Sequence, residues 1–290
     1  MSELLQFLIS GITVGAIYAA IALGFTLIYN ASGVVNFAQG EFVVIGGMTA
    51  AALIGAGVPV WIAAPLAVIA GMLVGVLLYR LAIRPAGQAP LVSLIIITIG
   101  ASIFLRGAMQ AVFDKQIHRY DGFSGDAPLR VGGATILPQS LWIIGGSVAV
   151  FAFLAWFLNR TRAGRGIRAT ASNRMAAALV GINTGRAMNL SFALSAAIGA
   201  LAGVLATPVT FTSYDVGVLM ALKGFSATML GGVGSPLGAL AGGLLIGLIE
   251  ALTAGYISSD YKDASAFIVI LLVLFLRPQG LFGARIMERV

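Results

Sequence analysis

Apolar runs of about twenty residues follow one another along nearly the whole 290-residue chain, and few folds accept such a sequence. The runs cover residues 4–29, 41–53, 59–79, 91–113, 141–158, 188–212, 216–229, 237–257 and 266–276. Hydrophobic residues make up 59% of the chain and charged residues 9%, against roughly a quarter charged in a soluble domain. A soluble surface cannot be clothed from that composition, whereas lipid asks for no charge. The expected fold is therefore all-α: a polytopic membrane bundle in one domain, 1–290, with eight or nine spans. The second and seventh runs are short and are expected to be broken or tilted helices, because irregular backbone at membrane depth needs protein or a cavity beside it. Glycine, 38 residues in all, falls inside the runs as Gly11/Gly15, Gly71/Gly75, Gly199/Gly203, Gly238/Gly242 and Gly243/Gly247. Small-xxx-small spacing of this kind lets helix backbones approach closely in a bilayer.

The formal charge of +7 sits in patches that flank apolar runs, which the positive-inside rule explains without nucleic acid. Arg80 and Arg84 close the third run. Arg160, Arg162, Arg165, Arg168, Arg174 and Arg186 fill the loop after the fifth, and Arg277, Arg285 and Arg289 follow the last. Nine crossings put all three clusters in the cytoplasm with an external N-terminus, whereas a re-entrant 216–229 gives eight. Met1-Ser2-Glu3 carries no basic flank, and the run behind it reaches Tyr29, so the N-terminus reads as a first span rather than a cleaved signal. The stretch 114–140, with Asp114, Lys115, His118, Arg119, Asp121, Asp126 and Arg130, reads as an external loop.

Catalytic patterns are missing. His118 is the sole histidine and there is no cysteine, so thiolate and multi-histidine metal sites are excluded. No Gly-x-Ser-x-Gly elbow is present. Gly231-Gly232-Val233-Gly234-Ser235 lacks the lysine and spacing of a phosphate loop, so this chain is not expected to hydrolyse ATP. Two polar stretches remain. The turn 30–41 brings Asn36, Gln39 and Glu41 between the first two runs without a cation; Ser226 and Thr228 lie on the other short run. Polar groups and unwound backbone at membrane depth mark substrate routes, although a plain turn also accounts for 30–41. The second stretch, about 160–187, carries Ala176, Ala177 and Ala178, a short helix with Gly181 as its stop. It presents Met175, Leu179 and Ile182 at i, i+4 and i+7, as a docking helix would. Arg106, Lys223 and Glu250 are ionisable residues inside runs, and one Arg106–Glu250 pair would account for two of them.

Several segments together resemble the permease subunits of high-affinity branched-chain amino-acid ABC importers. They are 22–29 (Ala-Leu-Gly-Phe-Thr-Leu-Ile-Tyr), 33–41 (Gly-Val-Val-Asn-Phe-Ala-Gln-Gly-Glu), Arg84-Pro85, 164–169 (Gly-Arg-Gly-Ile-Arg-Ala), 181–183 (Gly-Ile-Asn), 202–205 (Ala-Gly-Val-Leu), 231–235 and 277–283 (Arg-Pro-Gln-Gly-Leu-Phe-Gly). The Asn-Phe-Ala-x-Gly-Glu form is similar to the first of the two permeases of such systems. The resemblance implies a bacterial inner-membrane subunit that shares its path with a second permease. It implies two ATP-binding subunits, which carry the nucleotide, and a periplasmic binding protein that delivers leucine, isoleucine, valine or a related solute such as urea, a short amide or an aromatic acid. In such importers a Glu-Ala-Ala-x-x-x-Gly loop couples permease to ATPase. Met175-Ala176-Ala177 and Gly181 keep the alanines and glycine, with methionine in the glutamate position. The implied coupling residues are Arg168, Arg174, Met175, Ala176, Ala177, Leu179 and Gly181.

Overall fold

The computed structural model describes residues 2–87, 89–125, 127–131 and 133–283; Asp126, Arg285 and Arg289 lie outside them. Eleven helices carry the fold: α1 (Ser2–Ser32), α2 (Gln39–Gly55), α3 (Val60–Leu78), α4 (Leu91–Phe113), α5 (Pro138–Arg160), α6 (Arg162–Ser172), α7 (Arg174–Leu179), α8 (Thr184–Thr210), α9 (Val216–Gly231), α10 (Pro236–Tyr256) and α11 (Lys262–Leu276). α3 runs on through a π-helical turn, Tyr79–Ile83, into Arg84–Ala86. Six helices are long and apolar enough to cross a membrane, while α2 and α9 are apolar but shorter. The loop 114–137 adds one β-structured element, a hairpin pairing Leu129–Val131 with Ala134–Ile136.

Contacts fix which way each helix runs. Gln6 near the start of α1 exchanges hydrogen bonds with Thr135 in the hairpin, and Thr212 beyond α8 pairs with His118 of the same loop. At the other end, Asn30 donates to the Gly234 carbonyl, and Leu281 and Phe282 donate to the carbonyls of Leu230 and Gly231. Arg80, Arg160 and Arg277 all fall at this second end. Among the described residues the chain thus passes between the two ends nine times, with α2 and α9 covering only part of their passages.

Those two short helices begin inside the bundle. Gln39 packs on Gly24, eight residues before α1 ends, so residues 33–38 double back by about 12 Å. α2 then climbs to the loop end, where Ala50 and Ala51 join Tyr120 and Val204. α9 starts against the same place: a Cβ on Gly40 would stand 1.8 Å from the Gly217 carbonyl oxygen. It then runs the opposite way. The half-helices therefore meet N-terminus to N-terminus at mid-depth.

The meeting point is the centre of an inverted repeat. α1–α2–α3–α4 and α8–α9–α10–α11 use the same order of long helix, half-helix, long helix and flanking helix, in opposite directions. Packing repeats with them. Gly71 and Gly75 of α3 rest on Ala200 and Ala196 of α8, as Gly243 and Gly247 of α10 rest on Ala19 and Gly15 of α1. Likewise Gly47 of α2 sits against Thr207 of α8, and Gly224 of α9 against Ile21 and Phe25 of α1. α1 and α8 form the buried centre, whereas α3, α4 and α5 leave most of their apolar side chains exposed at the rim, the distribution lipid accepts. Between the repeats stand α5, α6 and α7.

At the α1–α10 crossing a side chain on Gly243 would strike the Ala19 backbone at 2.3 Å, while Gly100 of α4 has open space around it. Gly243→Leu is expected to cost on the order of 3 kcal/mol or more through overpacking, and Gly100→Leu close to nothing. Thermal unfolding of the detergent-purified variants, read by size-exclusion fluorescence, checks the contrast; equal behaviour would contradict the crossing.

Candidate functional site

Asn36, Gln39 and Glu41 are brought to the half-helix junction, each almost completely buried. Residues 33–38 leave helical geometry because Gly33 takes φ 71°, which glycine adopts without steric cost. Asn36 Oδ1 accepts from the Ala38 amide at 3.2 Å and its carbonyl from the Gln39 amide at 3.1 Å, so the turn closes on itself. Gln39 is held at both ends of its amide: Nε2 donates to the Ser195 carbonyl at 3.2 Å, and Oε1 accepts from Ser195 Oγ at 2.7 Å. That hydroxyl also lies 2.8 Å from the Gly24 carbonyl. One side chain thus ties α2 to both central helices. Glu41 Oε1 accepts from Ser102 Oγ of α4 at 2.7 Å, with Arg106 Nε 3.9 Å away. Glu41 Oε2 and Asn36 Nδ2 are buried without a hydrogen-bond partner among the described residues.

Ser226 and Thr228 lie on α9, buried. Thr228 Oγ1 bonds the Gly224 carbonyl one turn back at 2.9 Å and the Ala22 carbonyl of α1 at 3.3 Å. These two residues sit below the junction, toward the arginine end, and so belong to the body of the second half-helix and not to its tip.

An Arg106–Glu250 pair does not form. Arg106 faces Glu41 across α4 and α2, while Glu250 is engaged by Lys223 of α9. The pairing depends on helix rotation and neighbour identity, which hydropathy does not encode. Lys223 Nζ stands 2.9 and 3.0 Å from the two Glu250 oxygens, 2.6 Å from Asp263 Oδ1 and 3.0 Å from Tyr18 Oη; Tyr18 in turn donates to Glu250 Oε2 at 2.8 Å. Four elements, α1, α9, α10 and α11, are joined by one ammonium. Tyr18, Ser102 and Ser195 had no sequence signal beyond being polar within apolar runs, and Asp263 lay between two runs.

At the arginine end the expected short helix forms. Asn173 Oδ1 caps α7 by accepting from the Ala176 amide at 2.9 Å. The helix ends in a Schellman turn: Ile182 N–H bonds Ala177 O and Gly181 N–H bonds Ala178 O, both at 3.0 Å, with Gly181 at φ 84°. Met175, Leu179 and Val180 are 77%, 83% and 76% exposed, and Arg174 is exposed beside them, whereas Ala177 is buried. A Cβ on Gly181 would meet nothing within 4 Å, so the role of this glycine is the turn itself. Arg168 sits apart from this face, bonded to Asn159 of α5. Outside the spans, Asp114 lies below the usual carboxylate range, first because the Gln116 amide donates to it and then through His118.

Removing Lys223 alone leaves two carboxylates facing each other at membrane depth. Lys223→Met is expected to lower stability by about 3–5 kcal/mol, and Glu250→Gln added to it to restore part of that loss. A double-mutant thermal-unfolding cycle measures the coupling; additive effects would show that the ammonium does not hold the cluster.

Comparison with known proteins bears on these features together. Residues 7–275 match the family model described as the permease component of branched-chain amino-acid transport systems. The chain is 33% identical over 310 aligned residues to the high-affinity branched-chain amino acid transport system permease protein LivH of Escherichia coli K12, covering 99% of this chain and 97% of that one. It is 35% identical to the corresponding protein BraD of Pseudomonas aeruginosa, with 99% and 98% covered. The ribose import permease protein RbsC of Haemophilus influenzae is 29% identical, over 89% of this chain and 81% of that one. Among solved structures, PsaBC from Streptococcus pneumoniae in complex with Fab superposes with a TM-score of 0.50 at 17% identity, over 96% of this chain and 93% of that one, a likeness of fold. The apolar multi-helix bundle is that of a multi-pass membrane protein, and the chain belongs to the branched-chain amino-acid transport permease family.

Proposed function

We propose that this chain is the first-permease subunit of an inner-membrane ABC importer for branched-chain or related hydrophobic amino acids. A second permease of the same fold completes the route, and two separate ATP-binding subunits hydrolyse the nucleotide. A periplasmic binding protein delivers the solute to the loop end.

The observation that carries this reading is charge at membrane depth on the outer faces of the flanking helices. Arg106 lies seven residues, about 10 Å, inside the end of α4 and its side chain is 34% exposed. Asp263, in the first turn of α11, is 39% exposed. Such groups cannot face hydrocarbon cheaply. Each adjoins one half-helix, Arg106 through Glu41 of α2 and Asp263 through Lys223 of α9. A partner permease with water between the two bundles would satisfy both. The substrate route then runs along this face past the half-helix junction, with Asn36, Gln39 and Glu41 on one half and Ser226 and Thr228 on the other. In the closed chain these five are buried, so they reach water only when the bundle opens. A stand-alone carrier needs a coupling-ion site, yet Lys223, Glu250 and Asp263 bind one another and Arg106 faces Glu41, an arrangement that favours the assembled importer.

Cysteine placed at 36, 39 or 226 in this cysteine-free chain is expected to react with membrane-impermeant thiol reagents in only some stages of the ATP cycle of the full assembly. Protection in every nucleotide state would make these residues packing elements. At the arginine end, Leu179→Asp is expected to reduce substrate-stimulated ATPase activity at least ten-fold, roughly the cost of burying a charge in an apolar docking contact, with the permease still inserted and monodisperse. Wild-type ATPase activity would remove α7 from the coupling role. Calorimetry of the cognate binding protein with leucine, isoleucine and valine against urea, short amides, aromatic acids and ribose decides the solute.

A further inference from the structure

The loop from Arg160 to Arg186 contains six arginines and no carboxylate, and its exposed apolar docking helix uses only one side of it. The other side is α6. Its Gly164, Ile167 and Thr170 are buried, and a Cβ on Gly164 would lie 2.1 Å from the Phe157 carbonyl, so α6 is clamped against the end of α5. Thr161 Oγ1 caps it by accepting from the Gly164 amide at 2.9 Å. Arg162, Arg165 and Arg168, three residues apart, are thereby all turned outward.

Two of them frame an open surface pocket. Asn159, Arg165, Arg168 and Ala169 line about 360 Å³ at the end of α5. Asn159 donates from Nδ2 to the Ala155 carbonyl at 2.7 Å and accepts from Arg168 Nη1, so the guanidinium is fixed in place with donors to spare. Directly above, the exposed face of α5 turns apolar: Trp156 is one turn from Asn159, and Phe153, 6.1 Å from it, is the next aromatic. Phe153 also lines a larger apolar groove of about 1130 Å³ that climbs past Ala149 and Gly145 between α5 and α8. From Asn159 to Gly145 the helix rises about 21 Å, the reach of one extended acyl chain.

We infer that the Asn159–Arg165–Arg168 cavity together with the α5 groove is a binding site for an anionic phospholipid of the cytoplasmic leaflet. The phosphate is held by the two guanidinium groups, which fit its planar oxygen pairs. The chain lies over Trp156 and Phe153 into the groove. Anionic headgroups collect at basic cavities on this side of a membrane, and an occupant that is charged at one end and apolar over about 20 Å matches both halves of the site. The positions of α6 and the α5 end, and through them the start of α8, would then depend on lipid composition.

The full-length chain, released from nanodiscs containing equal phosphatidylglycerol and phosphatidylcholine, tests this by native mass spectrometry. One phosphatidylglycerol is expected to be retained in preference to phosphatidylcholine. Arg165→Ala with Arg168→Ala should weaken that retention about thirty-fold at an unchanged thermal midpoint, and Arg174→Ala with Arg186→Ala should not. Arg165→Lys with Arg168→Lys, which preserves the charge needed for insertion, should retain an intermediate preference. Equal retention of the two lipids by the wild type would overturn the site. So would displacement of the lipid by millimolar glycerol phosphate or inorganic phosphate, which would mean a free-anion site. Loss of the ATP-binding subunit in the double-alanine variant, with phosphatidylglycerol retention intact, would give these arginines to the coupling interface instead. Because lipid retention is read on the permease alone, the result stands apart from whether the solute is an amino acid.

Discussion

In hydrocarbon a peptide group that leaves a helix must find its hydrogen bonds from other protein or from enclosed water, and residues 33–38 run unwound from the end of α1 back to mid-depth. Everything near them supplies what that break needs. The backbone turns on Gly33; Asn36 folds back on the Ala38 amide; Thr98 Oγ1 of α4 accepts from the Phe37 amide at 3.3 Å; and Gln39 is gripped by Ser195. For these polar partners to reach the break, the flanking helices must lie close together. Close approach is what the glycine and alanine contacts of α1 with α10 and α3 with α8 provide, and it is why small residues recur where an isolated helix would gain nothing from them.

The two half-helices also determine where charge can be buried. Glu41 stands in the first turn of α2 within reach of Ser102 and Arg106, and Lys223 lies midway along α9 among Glu250, Asp263 and Tyr18. Each cluster joins a half-helix to its own flanking helix, α4 in one repeat and α11 in the other. The second is the more fully compensated, since its cation has three oxygen-bearing partners. The first leaves Glu41 Oε2 without a donor among the described residues and Arg106 at 3.9 Å. A buried carboxylate held so loosely calls for water or a further partner, which the second permease proposed above would supply on this face.

Sequence periodicity revealed a good deal of this, and physical reasons account for what it hid. Runs of apolar residues located all nine passages because lipid imposes length. The shortness of 41–53 and 216–229 announced the half-helices, and the alanine run before Gly181 announced α7. The inverted repeat was also present, for Gly40, Gly47, Gly55, Gly57 and Pro59 recur at one constant spacing as Gly217, Gly224, Gly232, Gly234 and Pro236. Five glycine and proline positions in a glycine-rich chain do not distinguish a repeat until packing shows Gly47 seated on α8 and Gly224 seated on α1. The partners of Arg106 and Glu250 were illegible for a different reason: hydropathy gives a residue's depth but not its azimuth around the helix. The same limit put Arg168 with the docking helix, although it turns back to Asn159.

The placement of α8 joins the two ends of this chain mechanically. It begins within five residues of α7, on which Met175 and Leu179 are exposed, and continues as one helix to Ser195, the residue that holds Gln39. Gly199 and Gly203 follow that contact and are filled by α2, with Val43 O only 1.9 Å from where a Cβ on Gly203 would stand. A stiff helix gripped at its start by the α7 turn and at its middle by α2 must carry a tilt from the first point to the second. Since α2 and α9 abut at Gly40 and Gly217 with no room for a methyl group, α2 cannot shift without moving α9 or parting from it. Close packing of this kind favours discrete rearrangements over gradual bending, and the half-helix junction is where the parting would open a path.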